Sequence, residues 1–181
     1  MKRKKLLAVF LTLAMLLSLL PTTALAADAA TVTAGSAEVN AGDSFSIDVR
    51  IADNLGFNNF QLQVVYDKTM LELTNIEDIS DDSILKSELV VNPSEGIFTT
   101  AATRDNTKNG VIATLTFTAK DAAKGTTTVS IEPLETTSAL MKVSGFANAS
   151  GQALPVTFVP GTITVKADTS DRTVTFMNGT E

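Results

Sequence analysis

Polar and apolar residues alternate strictly along three tracts of this chain, residues 44–51, 59–66 and 111–120. Because successive side chains of a β-strand point to opposite faces, this period of two predicts half-buried antiparallel strands. The β-branched threonines of the third tract also favour an extended backbone over a helix. The positions predicted to face inward are Phe45, Ile47, Val49, Ile51, Phe60, Leu62, Val64, Tyr66, Val111, Ala113, Leu115, Phe117 and Ala119.

Weaker strand patterns and frequent turn signals surround these tracts. Turn residues such as Asn, Asp and Gly cluster at positions 40–43, 54–56, 108–110, 124–125 and 160–161. The sequence therefore predicts an all-β fold, an antiparallel two-sheet sandwich with about nine strands and an immunoglobulin or jelly-roll topology. Residues 132–155 are predicted to form a long connection or an irregular edge. The weaker predicted strands are residues 30–39, 70–76, 87–92, 97–103, 126–131 and 156–165.

The first 26 residues have the pattern of a secretory signal peptide. Four basic residues at positions 2–5 precede an apolar run over residues 6–20, and the small-residue site Ala24-Leu25-Ala26 follows. The run is too short to span a bilayer comfortably. The sequence therefore predicts a bacterial secreted or cell-surface protein that keeps no membrane span once the leader is cleaved.

Charge excludes one class of partner. The leader holds four of the fourteen Lys and Arg residues and none of the twenty Asp and Glu residues, so the chain after the leader has a formal net charge of about −10. An acidic surface without a basic patch repels phosphate backbones and anionic lipid. We therefore expect no binding to nucleic acid.

Missing residue types exclude most kinds of catalytic site. The chain has no His and no Cys, which removes zinc, haem, catalytic-triad and thiol chemistry. Paired carboxylates or a Ser/Thr nucleophile with a Lys base would remain. Glu72 and Glu95 could be imagined as such a carboxylate pair, but no nearby aromatic residue or second acid in the sequence marks either as catalytic. We predict no catalytic residues.

A cluster of acidic residues raises the question of a metal site. Asp78, Asp81 and Asp82 fall in a predicted loop, where a weak calcium site would be one interpretation. The regular spacing of oxygen ligands with a required Gly is missing, so a solvated loop is favoured. We therefore predict no metal site and no cofactor in this chain.

The predicted sandwich occupies residues 30–166, and the composition changes after it. Residues 167–171 are small and polar, as expected of a linker. A short alternating run at residues 173–176 and the hairpin signal Asn178-Gly179 follow. Because one strand cannot fold alone, residues 167–181 are interpreted as a linker followed by the opening of a further module or by a frayed tail.

One predicted strand face lacks the charges that a solvated strand normally has. Asn59, Gln61, Gln63 and Val65 form the outward row of the second tract. A surface depleted in charge, with amides and exposed apolar groups, is typical of a recognition surface. The alternative is an ordinary solvated sheet face rich in Thr, Asn and Gln.

Three segments, in this order, resemble the cohesin domain of bacterial cellulosome scaffolds and related cell-surface proteins. Residues 41–47 are similar to the family's Ala-Gly-Asp turn and following strand. Residues 59–67, with Leu71-Glu72 behind them, are similar to its strand that ends in Tyr-Asp. Residues 109–117 are similar to its Gly-x-x-Ala strand, and residues 161–165 to its closing strand. Together they cover most of residues 30–166.

The resemblance implies a nine-stranded jelly roll that performs no chemistry. It also implies a partner, the dockerin, a small helical module that carries calcium and is attached to another secreted protein. In the family, one sheet face receives the dockerin helices, and an Asn-x-Asp pair on the strand before Tyr-Asp supplies hydrogen bonds. The matching positions here are Asn59 and Gln61, where Gln replaces a charged residue and cannot make a charge-assisted bond.

The predicted partner-binding residues are Asn59, Gln61, Gln63, Val65, Thr114 and Thr116. A second hypothesis is a structural or adhesive sandwich of a cell-surface stalk, or a module that binds carbohydrate directly. The chain has no Trp and a single Tyr, so it is poorly equipped to stack on sugar rings. Polysaccharide would then be reached only through the dockerin-bearing partner.

Overall fold

The computed structural model describes residues 28–78, 83–86, 88–134 and 145–167, which form twelve β-strands and no helix. No described segment is a helix long and apolar enough to cross a membrane. The strands are β1 (Ala30–Ala34), β2 (Ala37–Asn40), β3 (Ser44–Ala52), β4 (Phe57–Tyr66), β5 (Leu71–Glu77), β6 (Leu89–Asn92), β7 (Ile97–Asn106), β8 (Gly110–Ala119), β9 (Gly125–Pro133), β10 (Gly145–Ala147), β11 (Val156–Val159) and β12 (Gly161–Lys166).

The strands make two sheets that pack face to face. The back sheet has the order β11-β1-β3-β8-β5, and the front sheet has the order β2-β12-β9-β4-β7-β6, with β10 also paired to β4. Each sheet buries one face against the other, so the core lies between them. The all-β sandwich predicted from the sequence is confirmed.

The three strongest sequence patterns became the central strands of this core. Residues 44–51, 59–66 and 111–120 correspond to β3, β4 and β8. Nearly all of their predicted inward residues are buried, although Phe45 and Tyr66 are only half-buried. Each fully buried large apolar side chain stabilises the fold by roughly 1.5–3 kcal/mol. The largest such side chains are Phe57, Phe60, Phe98, Phe117, Phe146, Leu62, Leu71, Ile112, Leu115 and Ile163.

Two predicted strands are each divided between the sheets. Residues 30–39 form β1 in the back sheet and β2 in the front sheet, and residues 156–165 divide in the same way into β11 and β12. The two crossing points touch, because a Cβ on Gly161 would collide with the carbonyl group of Gly35. The four half-strands pair in parallel, β1 with β11 and β2 with β12, which is an exception to the predicted antiparallel pairing.

The region predicted to be a long connection, residues 132–155, contains further sheet structure. Strand β9 continues to Pro133, and β10 pairs with β4 over Asn59–Gln61. Phe146 anchors β10, since its ring lies 5.2 Å from Phe57 and 5.0 Å from Phe60 between ring centroids. With the two divided strands, β10 accounts for the difference between the nine predicted strands and the twelve described.

Candidate functional site

The six predicted binding residues lie on two opposite outer surfaces. Asn59, Gln61, Gln63 and Val65 belong to β4 in the front sheet, whereas Thr114 and Thr116 belong to β8 in the back sheet. The sandwich core separates these strands, so the structure does not bring the six residues together on one surface. Alternation shows which side of a strand faces out, but it does not show which sheet the strand joins.

On the outer surface of the back sheet, polar side chains of neighbouring strands form hydrogen bonds with one another. Side chains of β3 and β8 form a ladder, which we call the hydroxyl ladder. Its bonded pairs are Ser44–Thr118 at 2.8 Å, Ser46–Thr116 at 2.9 Å and Thr114–Asp48 at 3.0 Å. Asp48 also accepts an ion-paired hydrogen bond from Arg50 at 3.0 Å. Thr114 and Thr116 therefore already have hydrogen-bond partners on their own surface.

The outer surface of the front sheet has a different character. Gln63 is half-buried and makes no side-chain hydrogen bond with any described residue, and Val65 is 39% exposed. The register places Ile97 on one side of Gln63 and Glu132 on the other. We call this surface the front face; its members are Asn59, Gln63, Val65, Ile97, Thr99, Ser130 and Glu132.

Gln61 is a correction to the predicted outward row. It is only 8% exposed, although its position in β4 points it away from the core. Thr99 and Gly145 flank it in the sheet, and its carbonyl oxygen accepts a hydrogen bond from Leu134 N at 3.0 Å. Gln61 also has an interaction partner within the chain. It is therefore part of the packed structure and not of the accessible face.

Asn59 lies where the pairing of β4 with β7 becomes irregular. The register shifts between Phe57 and Asn59. At this shift the side-chain amide of Asn58 donates a hydrogen bond to the Ala102 carbonyl of β7 at 3.0 Å. Asn59 Nδ2 donates to Asn58 Oδ1 at 2.7 Å. The carbonyl oxygen of the Asn59 side chain has no partner among the described residues, so it remains available as an acceptor.

Sequence reasoning missed Ile97, Ser130 and Glu132. They belong to strands predicted only weakly, residues 97–103 and 126–131, and the second of these was predicted to end before Glu132. Their place beside Gln63 and Val65 depends on cross-strand register. The alternation within β7 and β9 was the one available signal, and it did not identify their neighbours.

The carboxyl groups considered in the sequence analysis lie in different sheets. Glu72 lies on β5 of the back sheet, while Glu95 lies in the turn before β7 of the front sheet. The Lys166 ammonium, bonded at 2.6 Å, lowers the pKa of Glu38. The hydroxyl and backbone N–H of Thr69, at 2.6 and 2.8 Å, lower the pKa of Asp67. Both groups therefore stay ionised near neutral pH and act as hydrogen-bond acceptors.

The question of a metal site concerns the predicted acidic loop. Asp78 is described, and its Oδ2 is buried without a hydrogen-bond partner, whereas Asp81 and Asp82 lie outside the described residues. Within the described ranges, no group of three acidic residues is arranged to hold a metal ion.

Comparison with known proteins gives concordant results for sequence and fold. Residues 30–165 match the cohesin domain family. Cellulose-binding protein A of Clostridium cellulovorans is 29% identical over 167 residues, a match that covers 83% of this chain and 8% of that protein. This chain thus corresponds to a small part of that relative's length.

Two solved structures illustrate the likeness of fold. A non-cellulosomal cohesin from the archaeon Archaeoglobus fulgidus has a TM-score of 0.60 and 15% identity, covering 77% of this chain and 92% of that one. The third cohesin ScaC of Acetivibrio cellulolyticus, solved in complex with the ScaB dockerin, has a TM-score of 0.59 and 20% identity, covering 76% of this chain and 99% of that one. With three quarters of its length matched by the family, the chain belongs to the cohesin domain family.

Proposed function

We propose that this chain is a secreted, non-catalytic interaction module that binds a dockerin carried by another secreted protein. Cohesins are a family of non-catalytic interaction modules, and structures of similar fold include cohesin–dockerin complexes. The observation that carries the proposal is the contrast between the two outer surfaces. The side chains of the hydroxyl ladder form hydrogen bonds with one another, whereas the Gln63 side chain on the front face has no hydrogen-bond partner among the described residues.

The front face supplies the elements of a protein interface. The Gln63 amide can both donate and accept hydrogen bonds, while Val65 and Ile97 add apolar contact area. Glu132 lies exposed beside Gln63 and offers a carboxylate to a cationic or N–H group of a helix. Because Gln61 is buried, the second polar position of the family pattern is occluded here. The hydrogen-bonding role passes to Gln63, the next outward residue of β4.

The same proposal describes how the chain acts within a larger secreted assembly. The dockerin brings its own calcium, so this chain needs no cofactor. The leader directs export, and the bound partner supplies enzymatic activity in an assembly that degrades polysaccharide. The proposal assigns no catalytic role to the chain, which has no His and no Cys.

The experiment measures dockerin binding by isothermal titration calorimetry. The ligands are purified dockerins encoded in the same genome, titrated in calcium against the chain from residue 27 onward, which contains every described strand. Gln63→Arg places a bulky cation in the front face, and we expect binding to weaken at least about tenfold. Thr116→Arg is the matched control, since Thr116 is also half-buried on a central strand of the opposite sheet.

The outcomes separate the two surfaces. We expect Thr116→Arg to change the dissociation constant by less than about twofold, and Gln63→Ala to weaken binding by about 1–2 kcal/mol. Chelation of calcium should abolish binding without lowering the melting temperature of this chain. Dockerin binding that survives Gln63→Arg but fails with Thr116→Arg would move the site to the back sheet. No binding to any dockerin would refute the proposal.

The structural or adhesive alternative predicts that the same titrations give no dockerin binding. None of the described aromatic side chains is exposed, which disfavours stacking on sugar rings. Likeness to a non-cellulosomal cohesin shows that the fold also occurs outside cellulosomes. A chain that binds glycan and no dockerin would support the alternative.

A further inference from the structure

Strand β6 forms an edge of the front sheet and has no charged side chain within the strand to protect it. It pairs with β7 on one side, and no other described strand pairs with it. Val90 is 68% exposed and Val91 is 38% exposed, and no residue of Leu89–Asn92 is charged. An exposed, uncharged edge presents unpaired backbone N–H and C=O groups to any strand that can reach it.

The other three sheet edges are protected in ordinary ways. Strand β2 carries Glu38, which is ion-paired with Lys166. Strand β5 carries two carboxylates, Glu72 and Glu77. Strand β11 is bounded by a proline on both sides, Pro155 and Pro160, whereas β6 has a proline only after its last residue. Charges and prolines at edges oppose strand addition, so β6 is the edge open to a partner.

We propose that β6 pairs with β6 of a second copy of this chain, antiparallel and about a two-fold axis perpendicular to the front sheet. Such an axis keeps each outer side chain on the outer side, so outer residues must face outer residues across the new ladder. A register centred on Val90 meets this condition. It places Val90 opposite Val90 of the second copy and Leu89 opposite Val91.

The sequence of β6 favours this register over the register centred on Val91. A register centred on Val91 would place Leu89 opposite Pro93, which has no N–H to donate to the ladder. The register centred on Val90 instead places Glu88 opposite Asn92. The Oδ1 atom of Asn92 already accepts from Ser94 Oγ at 2.7 Å, and its Nδ2 has no partner among the described residues. That Nδ2 is free to donate to the Glu88 carboxylate of the second copy.

The pairing joins two front sheets edge to edge, with their two front faces directed the same way. The strand is four residues long, so the interface is small and the association is weak and concentration-dependent. The inference rests on the β6 edge alone. It does not depend on dockerin binding, which involves the centre of the front face.

Sedimentation velocity of the chain from residue 27 onward tests the pairing, with protein at about 10 µM to 1 mM to suit a weak association. We expect the wild type to shift from monomer to dimer across this range. Val90→Lys and Val90→Glu should each weaken dimerisation at least about tenfold, because each places two like charges opposite one another. An equimolar mixture of the two variants should recover the dimer, since Lys then faces Glu.

Val159→Lys is the matched control, because Val159 is a 41% exposed valine on the edge strand β11 of the back sheet. It should dimerise like the wild type. A wild type that stays monomeric at the highest concentration overturns the inference. The inference is also overturned if Val90→Lys or Val90→Glu still dimerises when measured separately. A mixture of the two variants that stays monomeric, or a Val159→Lys variant that loses the dimer, would overturn it as well. Since no dockerin is present, failure here leaves the calorimetric result unaffected.

Discussion

The two outer surfaces of this sandwich have similar polarity but different bonding. On the back sheet, short hydroxyl side chains of adjacent strands reach one another, as in the 2.9 Å bond between Ser46 and Thr116. On the front sheet, Gln63 pairs through the backbone ladder with Ile97 and Glu132, but its side-chain amide bonds to neither side chain. A pair that is bonded within the sheet has fewer polar groups left for a partner, whereas an amide without a protein partner can exchange bound water for one. The comparison teaches that two polar surfaces of one sandwich can differ in how many of their side chains are already hydrogen-bonded within the chain.

Both surfaces are supported by one core, and we expect the largest loss of stability from a substitution in that core. Leu62 is fully buried, whereas Gln63 follows it on the outer side of β4. Leu62→Asp puts an unpaired charge in the core and should unfold the domain, a loss of at least about 4 kcal/mol. Gln63→Asp should reduce the free energy of unfolding by no more than about 1 kcal/mol, because the only new cost is the like charge of Glu132 opposite it. Circular dichroism melts of both variants measure this, and a folded Leu62→Asp would contradict the packing described.

The next effect separates two outward residues of the same strand. Gln61 is 8% exposed and has a partner within the chain, whereas Gln63 has none among the described residues. We expect Gln61→Ala to reduce the free energy of unfolding by about 1–2 kcal/mol and Gln63→Ala to leave it nearly unchanged. Urea unfolding measures both. Equal stability of the two variants would place Gln61 back on the accessible face.

The smallest effect concerns the hydroxyl ladder itself. A double-mutant cycle of Ser46→Ala and Thr116→Val should give a coupling of about 0.2–1 kcal/mol, since it removes a direct cross-strand bond. The matching cycle of Gln63→Ala and Glu132→Ala on the front face should give a coupling near zero. Couplings of equal size in urea unfolding would show that the two surfaces do not differ in bonding.

Much of the fold could be predicted because strong alternation marks strands buried on one side. Residues 44–51, 59–66 and 111–120 were located within one or two residues of β3, β4 and β8. The divided strands could not be predicted, because residues 30–39 and 156–165 continue as extended chain while changing sheets. The crossing requires Gly35 and Gly161 to approach one another, and they lie far apart in the sequence.

The candidate site was predicted only in part. Gln63 and Val65 were placed on an accessible face by alternation alone, and the structure keeps them there. Gln61 was assigned to the same row, but neighbours from β7, β10 and residue Leu134 enclose it. Thr114 and Thr116 were joined to that row although β8 lies in the other sheet.

The sequence by itself determined that this protein is built of β-strands. It also determined which side of each strictly alternating strand faces the core. Those properties follow from the two-residue repeat of a pleated chain, which is local. Only the tertiary structure decided which strands are neighbours, and so which outward side chains share a surface and which are already bonded. Pairing joins residues far apart in the chain, as Ser46 joins Thr116, and no local pattern contains that information.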